Sequence, residues 1–257
     1  MDHVERVKEE FTRQADRFAS AAAVTNDQLT QRFVEAIGAD ANGVVLDVAC
    51  GPGIVSAALA ARAREVVALD ITPEMLNKAR QRCAEAGLHN VTFREGSATE
   101  LPFADDSFDA VVTRLSVHHF PEPRLVLAEM FRVLRPGGTL VLADIVGSEN
   151  PDEAALHNAI EVLRDPSHVR MLPASELVSL VTAGGFAIAE QTTWDQSREF
   201  EEWAAIVDDS RRIAPLRPIA RALAAAHQHA GFGLSLHDGT VVFLHRWLLI
   251  VARKPLG

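Results

Sequence analysis

Short apolar runs alternate with stretches whose apolar residues recur every three or four positions. The runs are Val44 to Val48, Val66 to Asp70, Val91 to Glu95, Asp109 to Arg114 and Thr139 to Ile145. Alternation of this kind predicts parallel strands joined by helical crossovers. Two helices precede the first strand. One carries Val4, Val7, Phe11 and Phe18 at helical spacing, and the other carries Leu29, Phe33 and Ile37 behind the N-cap residues Thr25, Asn26 and Asp27. The helix after the second strand has Thr72 as its N-cap, Pro73 at its first position, Glu74 in its first turn and Gly87 as its stop. Beyond residue 146 the rhythm slackens into a helical insertion over 151–173, a sixth strand from Phe186 to Thr193, helices over 199–230 and a last strand from Val241 to Ala252. The expected fold is α/β, a doubly wound and mainly parallel seven-stranded sheet.

The turn after the first strand is the most informative segment. Val45-Leu46-Asp47-Val48-Ala49-Cys50-Gly51-Pro52-Gly53 runs from a strand through small residues into the start of a helix at Ile54. Gly51 and Gly53 allow backbone angles closed to other residues and the close approach of a ligand, and the helix start offers unpaired N–H groups. The second strand ends in Asp70, where a carboxylate can accept both hydroxyls of a ribose.

Three later stretches keep the order and spacing of one family: Glu95-Gly96-Ser97-Ala98-Thr99-Glu100-Leu101-Pro102-Phe103, Phe108 to Arg114, and Leu134-Arg135-Pro136-Gly137-Gly138-Thr139-Leu140. With the two segments above they resemble the class I S-adenosylmethionine (SAM)-dependent methyltransferases, in particular the UbiE-like small-molecule group. Arg164-Asp165-Pro166-Ser167-His168-Val169-Arg170 resembles a marker of the YcgJ-type branch. The resemblance implies a Rossmann-like sheet whose antiparallel last strand slots between the fifth and sixth, helical cap insertions, SAM as cofactor and a small-molecule acceptor. It also implies one domain: lid helices over 1–40, a cofactor-binding core over 41–146, and substrate-side insertions with the C-terminal strands over 147–257.

Residue by residue, the resemblance puts Asp47 near the methionine amine, with Ala49, Gly51 and Gly53 allowing close approach. Asp70 would bind the ribose. Ile71 and Met75 would sandwich the adenine, with Ser97 and Ala98 at its edge, where Ser97 replaces the family's usual Asp. Arg114 and Ser116 would offer backbone groups to the methionine portion, and Phe11 and Phe18 would close over the site.

Composition narrows the partners. The 257 residues are 48% hydrophobic, enough for a substantial core, and their net charge of -10 argues against a nucleic-acid substrate. Cys50 and Cys83 form neither a disulfide framework nor a metal motif, and Cys50 is expected to pack as a small residue. The acidic start lacks an apolar core of signal-peptide length, and no run is apolar enough to cross a membrane, so a cytoplasmic protein is expected.

His118-His119-Phe120 follows the fourth strand, at the sheet edge where open α/β folds bind ligands. An imidazole there could deprotonate an acceptor oxygen, nitrogen, sulfur or carbon near neutral pH. Neighbours on an extended segment point to opposite faces, which favours His118 alone as the pocket base, with His168 and Asp144 as further pocket groups. The same alternation argues against both histidines holding one metal, and Asp144, His157 and His168 have no recognisable ligand spacing, so no metal is expected. Leu156, Ile160, Leu163, Met171, Leu172, Trp203, Ile206 and Phe232 imply a partly apolar acceptor pocket. Two other readings stand beside methyl transfer: SAM used without methyl transfer, and a nicotinamide oxidoreductase. The second is disfavoured because Ile54-Val55-Ser56 occupies the place of a third glycine.

Overall fold

The computed structural model describes residues 2–21, 25, 27–38 and 42–256; Asn26, expected at the second helix's N-cap, lies outside them. The chain runs α1 (His3–Ser20), α2 (Asp27–Ile37), β1 (Val44–Val48), α3 (Ile54–Ala60), β2 (Glu65–Asp70), α4 (Pro73–Glu85), β3 (Val91–Glu95) and β4 (Phe108–Arg114). After a 3-10 turn at Val117–His119 come α5 (Pro123–Val133), β5 (Leu134–Ile145), α6 (Pro151–Arg164), α7 (Ala174–Ala183), β6 (Ala187–Glu199), α8 (Phe200–Ala205), α9 (Ser210–Ala225), β7 (Ser235–His237) and β8 (Thr240–Arg253).

Among the described residues the sheet has eight strands in the order β3-β2-β1-β4-β5-β8-β6, with β7 paired to β8. The first five in that order are parallel, and β8 runs antiparallel between β5 and β6. The eighth strand is the short β7, a hairpin arm on β8 that a seven-strand expectation omits. Its three residues carry too little pattern to read as a strand.

The strands bury both faces, as crossovers on both sides require. Leu46, Val48, Val111, Leu140 and Leu142 face one way, against Val126, Met130, Leu177 and Val181 of α5 and α7. Val45, Val66, Ala110, Val112 and Val141 face the other, against Phe33 and Ile37 of α2 and Val55 and Leu59 of α3. A third apolar cluster lies outside the sheet core. There Ile160, Phe200, Trp203, Ile213, Leu216, Phe232 and Phe243 join α6, α8 and α9 to the outer part of β8. This cap depends on strand length: β6 continues past Thr193 to Glu199, still paired with β8 at Val242.

Two relationships position the site. β1 lies between β2 and β4, so the crossovers diverge there and leave a crevice at the strand ends. Helix α1 crosses that crevice, tied to α4 by Lys78–Asp16 at 2.5 Å and to the cap side by Arg17–Asp208 at 2.7 Å and Arg212–Glu10 at 2.8 Å.

Candidate active site

The crevice holds a cavity of about 490 Å³, within the range of small-molecule sites. Asp47, Ala49, Gly51, Asp70, Ile71, Met75, Ser97, Ala98, Arg114, Ser116, Phe11 and Phe18 all line it. The cofactor-side residues singled out from the sequence thus gather on one cavity, beside others, such as Val4, Val7, Pro121 and Leu125, that the sequence does not single out for it. Gly53 is the exception: it is not in the lining, and a Cβ added to it would lie 2.7 Å from the Ala79 Cβ. Gly53 lets α3 pack on α4 and does not line the cavity. At Gly51 an added Cβ meets only the Phe18 ring, at 4.0 Å, so its missing side chain leaves room in the cavity.

The turn is held from below. Asp70 accepts the Gly51 N–H and the Thr72 N–H, each at 2.8 Å, one on each carboxylate oxygen. A carboxylate offers about four acceptor sites, so both oxygens keep capacity for further donors. Ala49 adopts φ 55°, a left-handed conformation costly for a residue with a Cβ. Arg82 donates to the Pro52 carbonyl at 3.0 Å and the Ala19 carbonyl at 2.8 Å, linking the turn to the end of α1.

Charge inside the crevice is buried and paired. Burial pushes the Asp47 carboxyl up to about 7, against the Ser56 hydroxyl, which donates to it at 2.5 Å, and the charge of Arg114. Burial likewise brings the Arg114 guanidinium down to about 10, opposed by Asp47. Cys50 is buried and its thiol is pushed well above its usual range, so it packs as a small inert residue as expected. At the end of β4, Thr113 donates to the Val48 carbonyl at 2.8 Å and its hydroxyl meets that of Ser116 at 2.5 Å.

A second cavity of about 70 Å³ adjoins the first; Phe11, Phe18, Leu115 and His119 line both. His118, His119 and His168 gather here. The expectation that His118 and His119 face opposite ways fails, because Val117–His119 is a 3-10 turn and carries no pleat. Their ring centroids are 4.3 Å apart, and that of His168 is 5.6 Å from His118.

The three imidazoles differ in their surroundings. His118 Nδ1 is 2.6 Å from Asp144 Oδ1, and its backbone N–H reaches Oδ2 at 3.1 Å. Burial pulls the His118 pKa down, yet the charge and hydrogen bond of Asp144 leave it raised above the usual value. Burial, and then the neighbouring charge of His118, bring His119 down to about 4. His119 Nδ1 donates to the Ser167 carbonyl at 2.9 Å, which fixes Nε2 as the acceptor nitrogen. His168, lowered by burial to about 3, donates from Nε2 to Asn158 Oδ1 at 2.8 Å.

The second cavity is partly apolar, but charged groups that the sequence does not point to share its wall. Met171, Trp203 and Ile206 line it with Glu161, Arg164, Asp165, Arg198 and His245. Leu156 and Leu163 instead point outward, at 37% and 56% exposure, because the buried face of α6 carries His157, Ile160 and Glu161. Leu172 belongs to the sheet core, and Ile160 and Phe232 to the cap cluster.

Sequence reasoning missed Glu161, Arg198 and His245. His157 and Glu161 do show a detectable signal, four positions apart on one helix face, but nothing local connects them to β8. There the structure brings His157, Glu161 and His245 together with ligand atoms within 4.8 Å of one another, a grouping that no spacing in the sequence shows. The marker stretch is also placed: Gln14 of α1 donates to Asp165 at 3.2 Å, while the Val169 N–H donates to the His118 carbonyl at 2.8 Å.

Known proteins share this fold and parts of this sequence. A methyltransferase-domain family matches residues 46–142. The crystal structure of BH2331 from Bacillus halodurans C-125, assigned as a methyltransferase, superposes with a TM-score of 0.82 at 30% identity, covering 88% of this chain and 98% of that one. The uncharacterized methyltransferase YcgJ of Bacillus subtilis is 35% identical over 62% of this chain and 63% of its own length, and its crystal structure gives a TM-score of 0.82. A demethylmenaquinone methyltransferase of Clavibacter sepedonicus is 43% identical over 50% of this chain and 52% of its own. The sequence matches thus span between about half and two thirds of these curated relatives.

Proposed function

We propose, since this chain belongs to the UbiE-like SAM-dependent methyltransferases, that it methylates a small-molecule acceptor whose reacting end enters the second cavity while SAM occupies the first. The observation that carries the reading is the junction of the two cavities at Phe11, Phe18, Leu115 and His119, with His118 and Asp144 on the acceptor side.

The residues present fit this cofactor. Gly51 leaves the space that a Cβ would fill, Asp70 keeps acceptor capacity for ribose hydroxyls, and Asp47 offers a buried carboxyl to an ammonium. Ile71 and Met75 supply apolar walls for the adenine, with Ser97 and Ala98 at its edge. The Ser97 hydroxyl is engaged with Thr99 at 2.8 Å, which leaves the adenine amino group without the family's usual carboxylate. Arg114 and Ser116 border the methionine end.

When bound, SAM supplies a sulfonium-borne methyl group that an in-line nucleophile displaces with no covalent enzyme intermediate and no metal to activate it. The chain's own work is chiefly placement. Holding the acceptor in line contributes up to roughly 7–11 kcal/mol, whereas a positioned base adds ~10²–10⁴-fold. His118, oriented through Nδ1 by Asp144, presents Nε2 as that base, in the manner of a base held by a third group. His119, neutral across the physiological range, forms the wall between the cavities, and His168 shapes the acceptor side. Helix α1 excludes water through Phe11 and Phe18.

The test is incubation of the purified chain with methyl-labelled SAM and fractionated small metabolites. Label transfer to a small molecule with matching S-adenosylhomocysteine release is expected. SAM binding without acceptor-dependent release would instead favour the cofactor being used without methyl transfer.

A further inference from the structure

Beside the base, a second group of side chains has no part in the mechanism above. Glu161 Oε1 lies 3.8 Å from His157 Nε2 and 3.8 Å from His245 Nε2. All three residues are at most 3% exposed. At 3.8 Å neither contact is a hydrogen bond, and all four imidazole nitrogens of the pair are buried without a partner. Buried polar atoms are ordinarily satisfied, so such a cluster needs an explanation.

We propose that His157, Glu161 and His245 bind one divalent transition-metal ion, of the Zn²⁺ type, at the edge of the acceptor cavity. Ligand atoms around a tetrahedral ion with bonds of about 2.0–2.2 Å lie roughly 3.3–3.6 Å apart, so the 3.8 Å gaps need to close by only a few tenths of an ångström to share an ion. Two imidazoles and one carboxylate favour such an ion over Mg²⁺ or Ca²⁺, which prefer all-oxygen sets. The ligands are held in place. The His157 ring stacks on Phe232 at 4.2 Å with planes 9° apart, His245 sits edge-on to Phe243, and Arg164 donates to Glu161 Oε2 at 2.9 Å, leaving Oε1 to face the imidazoles.

Three protein ligands leave a position open, and Glu161 and His245 both line the acceptor cavity. Arg164 Nε, Arg198 Nε and Arg198 Nη2 are also buried without a hydrogen-bond partner, Arg198 Nη2 lying 3.7 Å from Glu202 Oε1, and both arginines line that cavity. Arg164 is paired with Glu161 and Arg198 with Glu202, yet each keeps a buried N–H without an acceptor, and with a cation beside them these donors favour an anionic group in the cavity. The open position therefore takes an anionic oxygen, such as a carboxylate or phenolate, and this use of the ion rests on the methyl-transfer reading. The ion binds and orients the acceptor; it does not activate the methyl.

The metal site is tested on the full chain, stripped with EDTA and exchanged into chelator-free buffer. Calorimetric titration with Zn²⁺ should show one buried-site equivalent, and His157→Gln, Glu161→Gln and His245→Gln should each weaken it by at least ~10–100-fold, the loss that even outer-shell changes cause. SAM affinity measured on the same preparations reports folding, and it separates failure of this site from failure of the cofactor reading. Absent stoichiometric binding, or binding undiminished in all three variants, overturns the proposal. Should the variants lose SAM binding and their fold, Zn²⁺-soaked wild-type crystals decide: an anomalous peak between the three side chains supports the site, and a peak elsewhere or none overturns it.

Discussion

His118 and Asp144, 26 residues apart, meet through Nδ1 and Oδ1 at 2.6 Å, and the same carboxylate takes the His118 backbone N–H at 3.1 Å. One side chain from β5 thus orients the imidazole and opposes the burial that would lower its pKa. Asp144 itself stays ionised, since the His118 charge and its hydrogen bonds outweigh the burial that would raise its pKa.

For His118 as base, the neutral form must be present. Burial lowers its pKa, but Asp144 leaves it raised above 6.5, so the rate of methyl transfer should fall on the acid side with a midpoint above 6.5. Asp144→Asn should move that midpoint down. His118→Ala should slow transfer by about 10²–10⁴-fold with SAM affinity nearly constant, whereas His119→Ala should act mainly through the cavity wall. Equal small losses in His118→Ala and His119→Ala, from single-turnover rates, would retire the base.

Asp47 gives the cofactor site its own pH dependence. Its carboxyl, raised by burial to about 7, holds a proton in the free chain below that value and must lose it to meet an ammonium. SAM affinity should therefore strengthen as pH rises through about 7. Stability runs the other way: a carboxyl whose folded pKa is raised contributes stability that is full below about 3.9 and lost as pH rises through the folded value. Asp47→Asn should flatten the affinity profile and, above neutrality, stabilise the free chain by up to about 4 kcal/mol. Calorimetric titrations and thermal melts across pH check both signs.

The two turn glycines should separate into different phenotypes. A Cβ at Gly53 would lie 2.7 Å from the Ala79 Cβ at φ 73°, so Gly53→Ala should cost roughly 1–3 kcal/mol of stability, with partial relief from Ala79→Gly. Gly51→Ala carries a left-handed φ of 52° but no packing clash, and its methyl enters the cavity. It should lose SAM affinity out of proportion to stability, as paired melts and titrations would reveal. Equal melting losses in both would contradict the assignment.

Asp70→Ala removes an acceptor for the ribose and releases the Gly51 and Thr72 N–H groups together. SAM and S-adenosylhomocysteine should both bind about 10- to 100-fold more weakly, since a hydrogen bond to a charged group contributes about 1.5–3 kcal/mol. Unchanged affinity for both would remove Asp70 from the site.

What the sequence alone determined is the part of the protein whose physics is local. The strand-turn-helix at Val45 to Ile54, the acid closing β2 and the strand-helix alternation each depend on residues a few positions apart, so periodicity and turn chemistry carry them. The residues that the family resemblance puts on the cofactor side gather on one cavity, Gly53 excepted, because its partner Ala79 belongs to another helix. The acceptor side is different. Asp144 reaches His118 from the next strand, Asp165 and Ser167 approach from the segment after α6, and His245 meets His157 and Glu161 only because β8 runs back antiparallel between β5 and β6. Even the relation of His118 to His119 turned on a single 3-10 turn, where the helical rise replaces the alternation of a strand. Contacts between elements distant in the chain leave no periodic trace in any one of them, so tertiary structure alone decided which imidazole has a carboxylate behind it and which two share another.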